Sequence, residues 1–270
     1  MIELGASDYE TALPLVKGSQ IPGYSSYAFS VLEGRQKGHV FVDDSSDPQS
    51  ALIINPAAPS LACGAADRDG FDAFVQELLA RLPKNQVLTF WTISTDWHRI
   101  LSALPAVPRH RAVFSYQPSS ASKTLEAEEN HRLPSGFRLE RIDVALAQKL
   151  QESLDPWGVD IWGGPEGFAQ GSVGFCAVRD ESIGSACTAA FVGGGAAEMS
   201  IHTDEEFRRQ GLGAATCGAL IRHCLAHGLR PDWSCNRDNL VSVALAERLG
   251  FVRRQEIQGY LLHSASWETN

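Results

Sequence analysis

Residues Met199–Thr216 read M-S-I-H-T-D-E-E-F-R-R-Q-G-L-G-A-A-T, a strand that leads through an acidic turn into Arg208-Arg209-Gln210-Gly211-Leu212-Gly213 and then a helix. The first N–H groups of a helix have no partner within it, and the helix dipole adds positive potential at that end. Gly211 and Gly213 carry no Cβ, so a diphosphate can approach the main chain closely. The stretch therefore predicts a site for a phosphate-sized anion. It is not a P-loop, which needs G-x-x-x-x-G-K-S/T, nor a dinucleotide fingerprint with G-x-G-x-x-G directly after the strand. Taken alone, Gly211-x-Gly213 is also what an ordinary helix-start turn contains.

Working outward, three apolar runs, Val173–Val178, Ile183–Val192 and Ala197–Thr203, are separated by R-D-E-S and G-G-G. Those are hairpin punctuation, and they predict an antiparallel meander. Ahead of it come a strand at Phe137–Ile142 and a helix at Asp143–Leu154, with Asp143 as N-cap. Behind the glycine turn the pattern predicts a helix at Leu212–His227, a strand at Pro231–Cys235, a helix at Leu240–Leu249 and a strand at Phe251–Leu262.

With this order in place, Arg208-x-x-Gly211-x-Gly213 resembles the R/Q-x-x-G-x-G/A signature of the GNAT (Gcn5-related N-acetyltransferase) superfamily. Asn239-Leu-Val-Ser242-Val-Ala-Leu245-Ala-Glu-Arg-Leu-Gly250-Phe251 resembles that family's second motif, N-x-x-S/A-x-x-L-Y-x-K-x-G-F. The resemblance spans residues 136–262. The details W-S-C-N (233–236) and L-A-E-R-L-G-F (245–251) look most like the GNAT group that includes zwittermicin A resistance proteins, which have an N-terminal extension of similar size.

The resemblance implies an α/β (α+β) fold, a mixed and mostly antiparallel sheet flanked by helices. It implies an acyltransferase that moves acetyl from acetyl-CoA to a primary amine, with a small-molecule acceptor and direct attack in a ternary complex. The diphosphate would rest on Arg208, Arg209, Gln210, Gly211, Leu212, Gly213 and Ala214. Main-chain groups of Ile201–Thr203 would line one wall of the pantetheine channel, with Asn239 and Ser242 approaching from the other side. Asn239 also suits a plain helix N-cap, and both roles can hold. A non-catalytic acyl-CoA-binding module and a protein N-acetyltransferase stay open as alternatives.

Amine attack on a thioester needs a general base and donors for the oxyanion. Glu198, on the strand before the signature, is the first candidate for the base, since that strand carries an acid in many relatives. His202 is the second, on the same face as Glu198 and Ser200 if no bulge intervenes. The family's usual tyrosine acid falls at Ala246, a departure that leaves no acid assigned; Tyr260, Ser234 and Cys235 lie on nearby strands. Trp157 and Trp162, in D-P-W-G-V-D-I-W-G-G-P, form either an aromatic lid or packing between domains. Asp155 and Asp160 read as ordinary loop acids that could also meet a cationic acceptor.

The N-terminal part repeats the periodicities without the motif. Phe71, Phe74, Val75, Leu78, Leu79 and Leu82 lie on one helical face. Val87–Ile93 reads as a buried strand, Trp97–Leu104 as a helix, and His39–Val42, Ala51–Ile54 and Ala112–Tyr116 as strands. From Ala51 the order is β-α-β-α-β, which echoes the C-terminal part and suggests a degenerate GNAT-like half. The Ser/Glu/Pro-rich stretch from Tyr116 to Gly136 reads as a linker, giving domains 1–117 and 136–270 around residues 118–135. Ala62–Phe71 holds no R-x-x-G-x-G, so no second acetyl-CoA site is expected there.

The 270 residues are 44% hydrophobic and 20% charged, with a formal net charge of −9 and no basic run. That balance disfavours nucleic acid as a partner. No apolar stretch approaches a membrane span, and Met1 opens onto I-E-L-G rather than a basic leader, so a cytoplasmic location is expected. A second copy of the chain is an allowed partner. The six cysteines are scattered without C-x-x-C pairs, so neither disulfides nor a metal site is expected. Cys217 and Cys224 lie ~10.5 Å apart along one helix, too far to bridge, and with Leu220, Ile221 and Leu225 they read as a core stripe.

Overall fold

A computed structural model describes residues 1–21, 23–55, 59–66, 71–81, 87–117 and 133–263. The chain forms two compact units, Met1–Arg111 with Glu256–Asn270, and Ala112–Gln255. Of the expected linker, residues 118–132 lie outside those described, as does Leu82.

In the first unit, strands β1 (Ile2–Glu3), β2 (His39–Val42), β3 (Ser50–Ile54) and β4 (Ser60–Gly64) pair antiparallel in sequence order. Helix α3 (Phe71–Arg81) then leads to β5 (Val87–Trp91), which lies parallel to β4. Two short helices, α1 (Leu13–Gly18) and α2 (Ser26–Leu32), precede β2, and α4 (Thr95–Ser102) follows β5. Phe71, Val75, Leu78 and Leu79 pack with Leu52, Phe90, Trp97 and Leu101 in one aromatic-rich core. Strand β4 is an addition to the expected order: S-L-A-C-G is a buried run of small residues with no alternation to announce it. The expected strand to Ile93 stops at Trp91, because Ser94 turns the chain and its Oγ accepts the Trp97 N–H (3.4 Å) to cap α4.

The second unit starts within β6 (Val107–Tyr116) and contains β7 (Arg138–Arg141), α5 (Val144–Glu152), α6 (Pro156–Asp160) and α7 (Pro165–Gly171). The expected meander follows as β8 (Gly174–Arg179), β9 (Ser182–Gly193) and β10 (Ala196–Thr203), all antiparallel. Helix α8 (Leu212–Ala226), β11 (Arg230–Asn236), α9 (Leu240–Arg248) and β12 (Phe251–His263) complete the chain. The strand order in this unit is β6-β11-β10-β9-β8-β7, with β11 parallel to β10. Residues Gly259–His263 of β12 belong to the first unit, where they pair antiparallel with β5. Asp143 caps α5 as expected, its Oδ1 accepting the Leu146 N–H at 2.9 Å. All six cysteines are buried and free. Leu225, expected in the stripe with Cys217 and Cys224, is exposed instead at the last turn of α8.

Candidate active site

Strand β10 presents two faces with different partners. Thr203 Oγ1 meets Ser185 Oγ at 2.9 Å, and a Cβ on Gly213 would stand 3.3 Å from Thr203 Oγ1 and 3.8 Å from Ile201 Cδ1. Ile201 and Thr203 thus face α8. Glu198, Ser200 and His202 alternate to the other face, since the extra residue in the β9–β10 register is Ala190 of β9, leaving β10 itself regular.

The ladder between β10 and β11 runs from Ala196↔Arg230 to Glu198↔Asp232 and goes no further. Met199–Thr203 and Trp233–Asn236 therefore diverge, and Glu198 stands at the foot of the opening. It is 4% exposed, and Ser234 Oγ donates to its Oε1 at 2.6 Å. Asp232 is fully buried, and Arg230 grips it through Nε (2.8 Å) and Nη2 (3.1 Å). Burial pushes the Asp232 carboxyl up and the guanidinium pulls it back.

The glycine turn has the features an anion needs. Gly211 is the N-cap of α8 at φ 84°, and no side chain caps this helix, whereas Asp143, Asp155 and Asn239 cap α5, α6 and α9. A Cβ at Gly211 would meet nothing within 4 Å, so glycine is needed there for its backbone angle rather than for space. Arg209 shares the left-handed region at φ 63°, an uncommon state for a residue with a side chain. Arg208, Arg209 and Gln210 are exposed, Leu212 and Ala214 buried. Arg208 Nε donates to the Thr203 carbonyl (3.3 Å), which ties the turn to β10, and Gln210 Nε2 donates to the Glu206 carbonyl (3.2 Å). Asn239 is occupied as a cap, its Oδ1 accepting the Ser242 N–H (3.1 Å), while Ser242 Oγ accepts from Trp233 Nε1 (3.2 Å).

His202 is half exposed, and its Nε2 lies 3.6 Å from Asp155 Oδ1. Asp155, read from the sequence as a loop acid, is instead 3% exposed and caps α6, its Oδ1 accepting the Gly158 N–H (3.0 Å). Burial raises the Asp155 carboxyl above its ordinary value, and His202 and the Gly158 N–H pull it down. Its signal was present as D-P-W-G, a cap followed by proline at N1, but nothing local announced the burial. Asp160 is exposed as expected but closes helix α6 rather than lying in a loop, and it is paired with Gln151. Trp157 stands edge-on to Phe191 (6.0 Å), the ladder partner of Glu198. Trp162 is buried inside the unit, its Nε1 donating to the Ala189 carbonyl (3.2 Å). Thr188, opposite Ser200, keeps a buried hydroxyl with no hydrogen-bond partner among the described residues.

Of the groups weighed in place of the missing tyrosine, Ser234 is committed to Glu198. Tyr260 belongs to the first unit, where His98 Nδ1 (3.2 Å) and Gln258 Nε2 (3.1 Å) meet its hydroxyl. Ala246 is fully buried. Among the described residues, no group of three His, Cys, Asp or Glu is placed to hold a metal, and no helix is long and apolar enough to cross a membrane.

A protein of Bacillus subtilis (strain 168) described as the uncharacterized N-acetyltransferase YdfB is 30% identical over 230 residues, 84% of this chain and 86% of that one. A GCN5-related N-acetyltransferase-like protein from Streptococcus suis 89/1591 has a similar fold, with a TM-score of 0.72, 23% identity, and coverage of 94% of this chain and 98% of that chain. A tandem GNAT protein from the clavulanic acid biosynthesis pathway matches with a TM-score of 0.66 at 14% identity, covering 97% of this chain and 98% of that one. The molecule is an acetyltransferase by fold and relationship. The family model for GNAT acetyltransferase matches residues 19–260, and the chain belongs to that family.

Proposed function

We propose that the chain transfers acetyl from acetyl-CoA to the primary amine of a small molecule by direct attack. The observation that carries this reading is the juxtaposition of the uncapped α8 N-terminus with the split β10/β11 pair that has Glu198 at its foot. Members of the family use acetyl-CoA, and the turn fits it. The N–H groups of Leu212, Gly213 and Ala214 open the helix without a capping side chain, and Arg208 and Arg209 add positive charge. Asn239 and Ser242 keep a second role toward the cofactor alongside their structural bonds.

Bound acetyl-CoA supplies an acyl group already activated as a thioester. Glu198 takes the proton that the attacking nitrogen sheds as the C–N bond forms, held in one orientation by the Ser234 hydroxyl. An acyl-cysteine relay is disfavoured at three buried thiols. Burial pushes Cys176 and Cys224 up to about 12 and Cys187 well above its ordinary value, so none is a thiolate near neutrality. The buried methyl of Ala246 offers no proton to a leaving thiolate, which is acidic enough to depart without one.

Calorimetry with acetyl-CoA and a thiol-release assay over a panel of primary amines test this reading. Expected are saturable binding, loss of binding in Arg208→Glu/Gly211→Asp, and release of free CoA with at least one amine. Binding without release from any amine would favour a non-catalytic acyl-CoA module, and no binding at millimolar acetyl-CoA would defeat both.

A further inference from the structure

A primary ammonium must lose two protons on the way to an amide, one before the nitrogen lone pair is free and one as the C–N bond forms. Two groups on one face of β10 are suited to separate shares of that work. Glu198 is buried at the foot of the strand opening, and His202 is half exposed four residues further on, about 13 Å along a strand. One group cannot relay to the other directly across that distance.

The same short helix reaches both ends of this face. Trp157 of α6 contacts Phe191, which lies opposite Glu198, and Asp155 at the cap of α6 faces His202 Nε2 at 3.6 Å. The Asp155 carboxylate is pinned: Oδ1 accepts the Gly158 N–H, and Oδ2 sits where any Cβ on Gly158 would come within 2.1 Å. His202 Nδ1 has no hydrogen-bond partner among the described residues, and its ring is 44% exposed. A buried carboxylate behind one ring nitrogen, with the other nitrogen open, is the arrangement that orients an imidazole.

We propose that Asp155 is a positioning residue that aims His202, and that His202 Nδ1 takes the first proton from the incoming ammonium before Glu198 takes the second. The N–H bond of the ammonium breaks, its electron pair stays on nitrogen, and the proton moves to Nδ1. The resulting imidazolium lies against the Asp155 carboxylate and returns its proton to solvent. This rests on the acetyl-transfer reading above.

Asp155→Asn separates the charge from the cap, because asparagine caps helices as well as aspartate does. With a strongly basic alkylamine, Asp155→Asn and His202→Gln are each expected to lower kcat/KM roughly 10- to 100-fold, within the range of acid–base contributions. Acetyl-CoA affinity stays unchanged. With a weakly basic amine, already neutral at the assay pH, the loss in both variants is expected to shrink to less than about threefold. The double variant loses no more than the worse single one, since Asp155 acts through His202. Equal losses on both amine classes, or additive losses in the double variant, would overturn the proposal and reduce Asp155 to a helix cap. Wild-type rates in both variants would overturn it while leaving acetyl transfer intact. No CoA release by the wild type with any amine would defeat the parent reading and this one together.

Discussion

Both units contain an antiparallel meander followed by a helix and a parallel strand: β2-β3-β4-α3-β5 in the first, β8-β9-β10-α8-β11 in the second. In both, the parallel ladder is brief. It covers Ser60↔Phe90 and Leu61↔Trp91 in one and ends at Glu198↔Asp232 in the other. What differs is the residues at that step. The first unit places Leu61 against Trp91 within an aromatic interior, where Arg111 lies over the rings of Tyr24 (5.0 Å) and Trp91 (6.0 Å). The second places two carboxyls there and follows its strand with a glycine turn that leaves a helix uncapped. The same topology carries apolar packing at this step in one unit, and in the other it carries the site proposed for acetyl transfer.

The acids of the two units carry the same contrast. In the first, Asp43 is held low by N–H groups of Ser50 and Gln49 that outweigh its desolvation, and Asp44 is held low by Ser46. In the second, burial pushes Asp155 and Asp232 up. The loop acids of the first unit are satisfied by their own turns, while the two acids near the proposed site are buried.

The contrast can be broken most directly at Glu198. Glu198→Gln is expected to lower kcat for acetyl transfer about 1,000-fold, with acetyl-CoA binding by calorimetry unchanged. A loss under tenfold would mean that the carboxyl at the foot of the split is not what distinguishes the second unit. In the first unit, Trp97→Ala empties a fully buried site and is expected to cost about 3–5 kcal/mol in urea unfolding. The acetyl-CoA affinity of the protein that remains folded should not move. Gly211→Asp sets a side chain in the left-handed region and a carboxylate at the α8 N-terminus. A fall of about 100-fold in acetyl-CoA affinity is expected, about 2.7 kcal/mol.

The smallest expected effect concerns pH. The folded protein keeps the Asp155 proton to higher pH than the unfolded chain does. The cost of ionising the buried carboxyl is therefore absent below about pH 4 and grows as pH rises through the folded value. Asp155→Asn removes that cost. Its thermal midpoint should gain progressively on the wild type as pH rises above about 4, the unfolded value, and level off once the folded carboxyl is ionised; a difference that does not change with pH would remove the buried-carboxyl account.

Much of the second unit was legible because its signals are local. Three apolar runs with glycine and charged punctuation become β8, β9 and β10 within a residue or two, and Asp143 caps α5. The first unit was less legible, since β4 (S-L-A-C-G) has no period and β6 opens on V-P-R-H-R, a largely polar run. At the site, Glu198 and the glycine turn could be picked out by type and spacing. Ser234 and Asp155 were named by type, but that Ser234 pairs with Glu198, 36 positions away, and Asp155 with His202, 47 positions away, could not be read, because pairing at that separation is set by strand register and helix docking.

By itself the chain determined which segments form strands and helices around Gly211 and the family to which they belong, since turn chemistry, hydrophobic period and motif spacing are properties of neighbouring residues. Only the tertiary structure decided that Asp155 is buried behind His202, that Tyr260 lies in the first unit, and that β12 completes a sheet beside β5. Those outcomes depend on which surfaces meet, and burial, register and the matching of polar groups across a sheet are fixed when distant segments pack together.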